Sequence, residues 1–202
     1  MSKALAVGDQ APELAIPDQQ GKKVTLDSFK GKQVVLYFYP KDDTPGCTKE
    51  SCDFRDVESQ ILRAGGTIVG VSLDGKESHQ KFIKKFGLPF PLLSDESAAI
   101  SKAYGVYKEK NMYGKKYWGI ERSTFVIDPE GKVKAIFGRS QVDGHADEVL
   151  KALKASRKTD LAVWSPARVP TICRVLSLGV FFSLALTSAV LDAADKPVSQ
   201  SL

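Results

Sequence analysis

The chain has 202 residues, of which 43% are hydrophobic and 26% charged, with three cysteines and a formal net charge of +5. That composition belongs to a folded globular domain with room for an appendage, and it excludes a disordered or low-complexity chain. The positive excess is scattered in pairs such as Lys84-Lys85 and Lys115-Lys116, so no basic block points to nucleic acid.

Residues 23–26 suit a short strand, with a turn at 27–31. The apolar run at 33–39 (QVVLYFY) predicts a buried strand. Helical spacing of Phe54, Val57, Ile61 and Leu62 predicts a helix over 49–64, stopped by Gly65-Gly66. Residues 67–72 read as a second buried strand, and 78–86 as a helix with Phe82, Ile83 and Phe86 on one face. A short strand at 91–93 precedes a helix that opens at 94–96 and runs to about Tyr104. Strands at 123–127 and 133–137 flank a hairpin loop, DPEGK. A last amphipathic helix covers 143–155, with Val149, Leu150 and Leu153 on its apolar face. This order predicts an α/β domain, a central mixed sheet with helices on both faces.

The character changes after residue 155. Residues 156–170 read as a linker, and 171–202 as an apolar C-terminal extension whose residues 175–191 carry no charge. That stretch is at the short limit for a bilayer span, and its serines and threonine weaken it further. An accidental extension is the favoured reading; a marginal membrane tether and a helix docked on the domain stay open, and little membrane contact is expected.

The chemistry concentrates in residues 40–52, PKDDTPGCTKESC. Cys47 falls where the strand at 33–39 gives way, through a Pro/Gly turn, to the first turn of a helix. Free amides and the helix dipole at that end favour an anion, so they favour a reactive thiolate. Cys52 follows five residues later, a second thiol beside the first. Three cysteines and no apolar leader suggest a reducing, cytoplasmic setting. No cofactor is implied, and the close cysteines lack the further ligands a metal site needs. His79 and His145 read as solvated surface groups, Trp118 as a packing or pocket-rim residue, and Cys173 as an uninvolved thiol.

Pro40, Thr44 and Cys47 fit the P-x-x-x-T-x-x-C signature of the peroxiredoxins, and the spacing to Cys52 resembles the bacterioferritin-comigratory (Q-type) branch. The stretches SHQKF at 78–82, GLPFPLLSD at 87–95 and ERSTFVID at 121–128 resemble the same branch, and the match covers roughly residues 3–155. The resemblance implies a thioredoxin-like fold and thiol-dependent reduction of hydrogen peroxide and organic hydroperoxides. It implies Cys47 as nucleophile, passing through a sulfenic acid, and Cys52 as the thiol that resolves it in an intrachain disulfide. Thioredoxin would be the electron donor, and an intrachain pair leads us to expect a monomer. By the same resemblance Thr44 and Arg122 act on sulfur and peroxide. Pro40 excludes water and fixes the loop, Gly46 offers backbone N–H donors, and Glu50 orients the arginine. A thiol–disulfide oxidoreductase of the thioredoxin type, usually C-x-x-C, and a redox-activated holdase are the rival readings.

Overall fold

The computed structural model describes residues 5–112, 114–138 and 141–162. The stretch at 175–191 and Cys173 lie outside the described residues.

Strand β3 (Gln33–Phe38) is the centre of the fold. On one edge it pairs in parallel with β4 (Gly66–Ser72), which pairs in parallel with β5 (Leu92–Ser94). On the other it pairs antiparallel with β8 (Ser123–Ile127), which pairs antiparallel with β9 (Val133–Gly138). The sheet is therefore mixed, in the order β5-β4-β3-β8-β9. Its parallel pairs are bridged by α1 (Pro45–Arg63) and α2 (Lys76–Phe86), as parallel neighbours require a crossover. A small antiparallel pair, β1 (Ile16–Pro17) with β2 (Lys23–Val24), stands before this sheet.

Every residue of β3 is buried because both faces of the sheet are covered. The strand period of two then divides its side chains. Val34, Leu36 and Phe38 enter one core with Phe125, Ile127 and Tyr104. Val35, Tyr37 and, one residue past the strand end, Tyr39 enter the other with Phe54, Ile61, Phe82 and Val149, which come from α1, α2 and α4 (His145–Ala162). Full burial of one such large side chain is worth roughly 1.5–3 kcal/mol.

Three segments depart from the sequence expectation. The helix expected from 94 to 104 shrinks to α3 (Ala99–Ala103). Asp95 is the reason: its carboxylate accepts the amides of Ile100 (3.2 Å) and Ser101 (2.7 Å), so the helix starts behind it. The last helix continues to Ala162, into the stretch expected to be a linker. An antiparallel pair, β6 (Tyr107–Met112) with β7 (Lys115–Ile120), was not foreseen. It is largely solvated, so its residues lack the period-two apolar signal of a half-buried strand.

Gly70 on β4 links this packing to the start of α1. A Cβ there would lie 2.5 Å from Leu92 Cδ2 and 2.9 Å from the ring and hydroxyl of Tyr37. The Tyr37 hydroxyl in turn lies 3.1 Å from Ser51 Oγ on α1. Gly70→Ala should therefore cost roughly 1–3 kcal/mol by overpacking. A urea midpoint unchanged from wild type would show that the strand yields without strain.

Candidate active site

Thr44 precedes α1 in an extended conformation, and Pro45 takes the first helical position, where its missing N–H costs nothing. Cys47 is thus the third residue of the helix, which begins four residues earlier than the expected start at 49. The buried positions of α1 are Cys47, Glu50, Ser51, Phe54 and Ile61, one continuous stripe at helical spacing. Its C-terminal half is apolar and holds the helix on the sheet. Its N-terminal half carries a thiol, a carboxyl and a hydroxyl, so the packing face delivers the polar groups to the interior. Cys52 is off the stripe and half-buried, and both cysteines are free thiols.

Register across the sheet brings Arg122 to this stripe. Ser123 pairs with Phe38, so Arg122 leaves β8 beside the end of β3, where the loop to α1 begins. Its Nη2 donates to Cys47 Sγ at 3.2 Å, and its Nη1 donates to Glu50 Oε2. Burial acts to lower the arginine's pKa, and the charges of Glu50 and Cys47 more than offset it. The guanidinium therefore stays positive against the sulfur of Cys47, a residue only 2% exposed. Glu50 is pushed up to about 7 by burial, against the pull of Arg122. Its second oxygen, Oε1, has no hydrogen-bond partner.

Thr44 does not cap the helix with its side chain. Its hydroxyl donates to the Lys41 carbonyl at 3.1 Å, which leaves its oxygen as an acceptor. Gly46 lies against the arginine, since a Cβ there would meet Arg122 Nη2 at 3.5 Å. Pro40 is half-buried at the end of β3. The residues expected from sequence thus come from three places: the strand end (Pro40), the start of α1 (Thr44, Gly46, Cys47, Glu50, Cys52) and the start of β8 (Arg122).

Two expectations are corrected. His79 is fully buried and His145 nearly so. His79 lies 2.8 Å from Asp42 Oδ2, and His145 Nε2 lies 2.8 Å from the Thr124 hydroxyl, wedged against Phe54 and Phe137. Each histidine sits at a helix position that looks polar in sequence but faces a buried acceptor or hydroxyl. Trp118 is 59% exposed and stacks on Tyr107 across β6 and β7. Sequence reasoning also missed Lys110, on the same hairpin. Burial, helped by the Arg122 charge, holds its ammonium pKa below the ordinary value, while the charges of Glu121 and the Cys47 sulfur pull it the other way. Nothing in its exposed-looking strand could have signalled that proximity.

Among the described residues no cluster of histidine, cysteine and carboxylate groups could hold a metal, and no helix is long and apolar enough to cross a membrane.

Comparison with known proteins agrees with this geometry. Residues 7–136 match the AhpC/TSA family. A putative peroxiredoxin bcp of Coxiella burnetii is 51% identical over 150 residues, covering 74% of this chain and 99% of that one. Peroxiredoxin Bcp of Escherichia coli is 43% identical over 150 residues, covering 74% and 96%. A Xanthomonas campestris bacterioferritin comigratory protein, solved as a trapped intermediate/ligand complex for its alkyl peroxide reduction activity, superposes with a TM-score of 0.71 at 45% identity, covering 77% and 98%. The sheet and its helices are accordingly those of the thioredoxin-fold peroxiredoxins. With a buried thiol at the helix start, an arginine against its sulfur and relatives matched along nearly their whole length, the chain belongs to the AhpC/TSA family and is a peroxiredoxin, a thiol peroxidase.

Proposed function

We propose that the chain reduces hydrogen peroxide and organic hydroperoxides with Cys47 as nucleophile and Cys52 as resolving thiol, in a reducing compartment and as a monomer. The observation that carries this reading is the Arg122 guanidinium, shared between Cys47 Sγ and Glu50. The thiolate attacks the terminal peroxide oxygen and the O–O bond breaks. The sulfur is oxidised to a sulfenic acid, and the departing alkoxide or hydroxide takes up a proton to leave as alcohol or water. Arg122 holds a fixed positive charge where negative charge moves from sulfur to the leaving oxygen. Thr44 Oγ1, its own proton committed to Lys41, accepts from the hydroperoxide O–H.

Cys52 then attacks the sulfenic sulfur, releasing water and forming a disulfide. That step cannot occur on the folded helix. Residues five apart in an α-helix have Cα atoms about 8.7 Å apart, while a disulfide needs them within about 7 Å. The stretch of α1 from Cys47 to Cys52 must unwind, breaking the Arg122–Glu50 pair, the Tyr37–Ser51 contact and the Lys49 bridges to Asp53 and Asp143. A dithiol protein of the thioredoxin kind then reduces the exposed disulfide by exchange, and the helix reforms.

Cys47→Ser should abolish peroxide consumption. Cys52→Ser should permit one oxidation and then stall with thioredoxin as donor. Steady turnover in a thioredoxin-coupled assay of either variant would refute its assigned role.

The arginine bridge is testable at both ends. Arg122→Ala should slow oxidation by roughly one to three orders of magnitude, as for loss of a preorganised charged donor; stopped-flow rates equal to wild type would remove it from the reaction. Glu50 has a folded pKa raised from 4.5 to about 7 by burial. The native state therefore binds more protons than the unfolded state across that window, and the carboxyl's contribution to stability is lost as pH rises through it. Glu50→Gln has no such ionisation, so its stability relative to wild type should increase from pH 4.5 to 7. A difference between the two urea midpoints that is flat with pH, or of opposite slope, would contradict the burial argument.

The unwinding should register in hydrogen exchange. Amides of residues 48–54 should lose protection on oxidation, while those of β3 keep it. Equal protection in both redox states would rule out a disulfide made by unwinding.

A further inference from the structure

The loop from β3 to α1 contains a buried carboxylate that the cysteine chemistry does not use. Asp42 is 6% exposed. Its Oδ1 accepts the Tyr39 hydroxyl at 2.7 Å; its Oδ2 accepts the Ser78 hydroxyl at 2.7 Å and lies 2.8 Å from His79 Nδ1. Its backbone N–H donates to Asp74 Oδ2 at 2.8 Å, an oxygen that also takes the Ser72 hydroxyl. One short loop residue thereby joins β3, the end of β4 and the first turns of α2.

His79 completes the arrangement on the far side. Its Nε2 lies 3.3 Å from the Leu93 carbonyl oxygen. A carbonyl only accepts, so Nε2 carries a proton in that contact. The contact between Nδ1 and Asp42 Oδ2 then needs a second proton, on the ring or on the carboxyl. Either way histidine and aspartate share it, with the ring wholly buried. A buried pair of this kind is poor value for stability alone. What it supplies is direction: a carboxyl group held by three side-chain partners is fixed in angle as well as in place.

The flanking residues show what that direction sets. The Lys41 carbonyl, immediately before Asp42, accepts the Thr44 hydroxyl. Asp43, immediately after, has φ of 54°, a left-handed conformation rare outside glycine, and its carboxylate is gripped by Lys85 at 2.7 and 2.8 Å. A strained residue persists where its surroundings over-determine it. Here both grips, His79 and Lys85, come from α2. None of these groups lies in the part of α1 that must unwind.

We propose that His79 and Asp42 are positioning residues for peroxide reduction: a buried pair that sets the loop at 41–44, and through the Lys41 carbonyl the Thr44 hydroxyl, in register with the thiol of Cys47. The proposal rests on the reading that Thr44 and Cys47 form the peroxide site. Peroxide needs sulfur, threonine and arginine aligned at once, whereas a small alkylating agent needs only an accessible thiolate. The two reactions therefore separate register from fold.

The experiment uses the reduced full chain and compares oxidation of Cys47 by hydrogen peroxide with its alkylation by iodoacetamide. His79→Leu should slow oxidation about 10–100-fold, the scale of a misplaced reacting group. It should leave alkylation within about threefold of wild type, since thiolate and access are unchanged. His79→Asn, whose amide nitrogen can reach Asp42, should recover most of the lost rate. A folded His79→Leu that oxidises at the wild-type rate overturns the proposal, and so does an equal fall in both reactions. If His79→Leu does not fold, Asp42→Asn serves instead: it must show the same selective loss, and a folded Asp42→Asn with full oxidation rate overturns the proposal as well. Undiminished peroxide consumption by Cys47→Ser would overturn the underlying site reading and the proposal with it, whereas a full rate in the loop variants alone leaves that reading standing.

Discussion

A single guanidinium ties this molecule's chemistry to its fold. Arg122 donates with one nitrogen to Cys47 and with another to Glu50, and no other side-chain type combines permanent charge with two donors in a rigid plane. The arrangement requires that β8 lie antiparallel beside β3, so that the residue before Ser123 falls next to the exit toward α1. It also requires that Cys47 and Glu50 share one face of that helix. Sheet register and helical period are separate constraints, and they meet at this arginine.

The same helix stripe divides α1 into two halves of unequal hold. Phe54 and Ile61 anchor the far half of α1 in the core shared with Tyr37, Phe82 and Val149. The near half buries Cys47, Glu50 and Ser51, which bring little hydrophobic stabilisation and much desolvation. Glu50 keeps one oxygen without a partner and is drawn toward its neutral form. The near half is therefore the low-stability end of an otherwise well-held helix, which is where local unfolding is expected. The Asp42 hub stands just before it and has the opposite character, with every carboxylate oxygen engaged and the ring of His79 sealed from water.

The hairpin of β6 and β7 adds a further layer. It leads from Val106 back to Glu121 and so delivers the chain to Arg122. Lys110 donates from it to the Ile120 carbonyl, close enough to Cys47 for the two charges to interact. Much of the hairpin faces solvent, including the stacked Trp118. It contributes little core, and its place in the fold is as the approach to the arginine.

The strands β3, β4 and β8, five to seven residues long, were legible in the sequence because each is centred on β-branched and aromatic residues with turn residues near its ends. The place of Cys47 in the first turn of α1 was legible because a proline-bounded turn before a helix leaves it at an anion-favouring end, and its spacing from Pro40, Thr44 and Cys52 resembles a known family. The extent of α3 was not, because Asp95 uses its side chain against amides five and six residues on, a choice made by the chain's course and not by propensity. The two histidines were misread because a polar residue on a helix is exposed by default, and only the packing of α2 and α4 against the sheet put acceptors and hydroxyls beneath them. What the sequence by itself determined was periodicity: which residues share a strand face or a helix stripe, and hence that Cys47 and Glu50 point the same way. What only the tertiary structure decided was every contact between residues far apart in the chain, Arg122 with Cys47 and His79 with Asp42 among them, because register and crossover geometry are set by how whole elements pack.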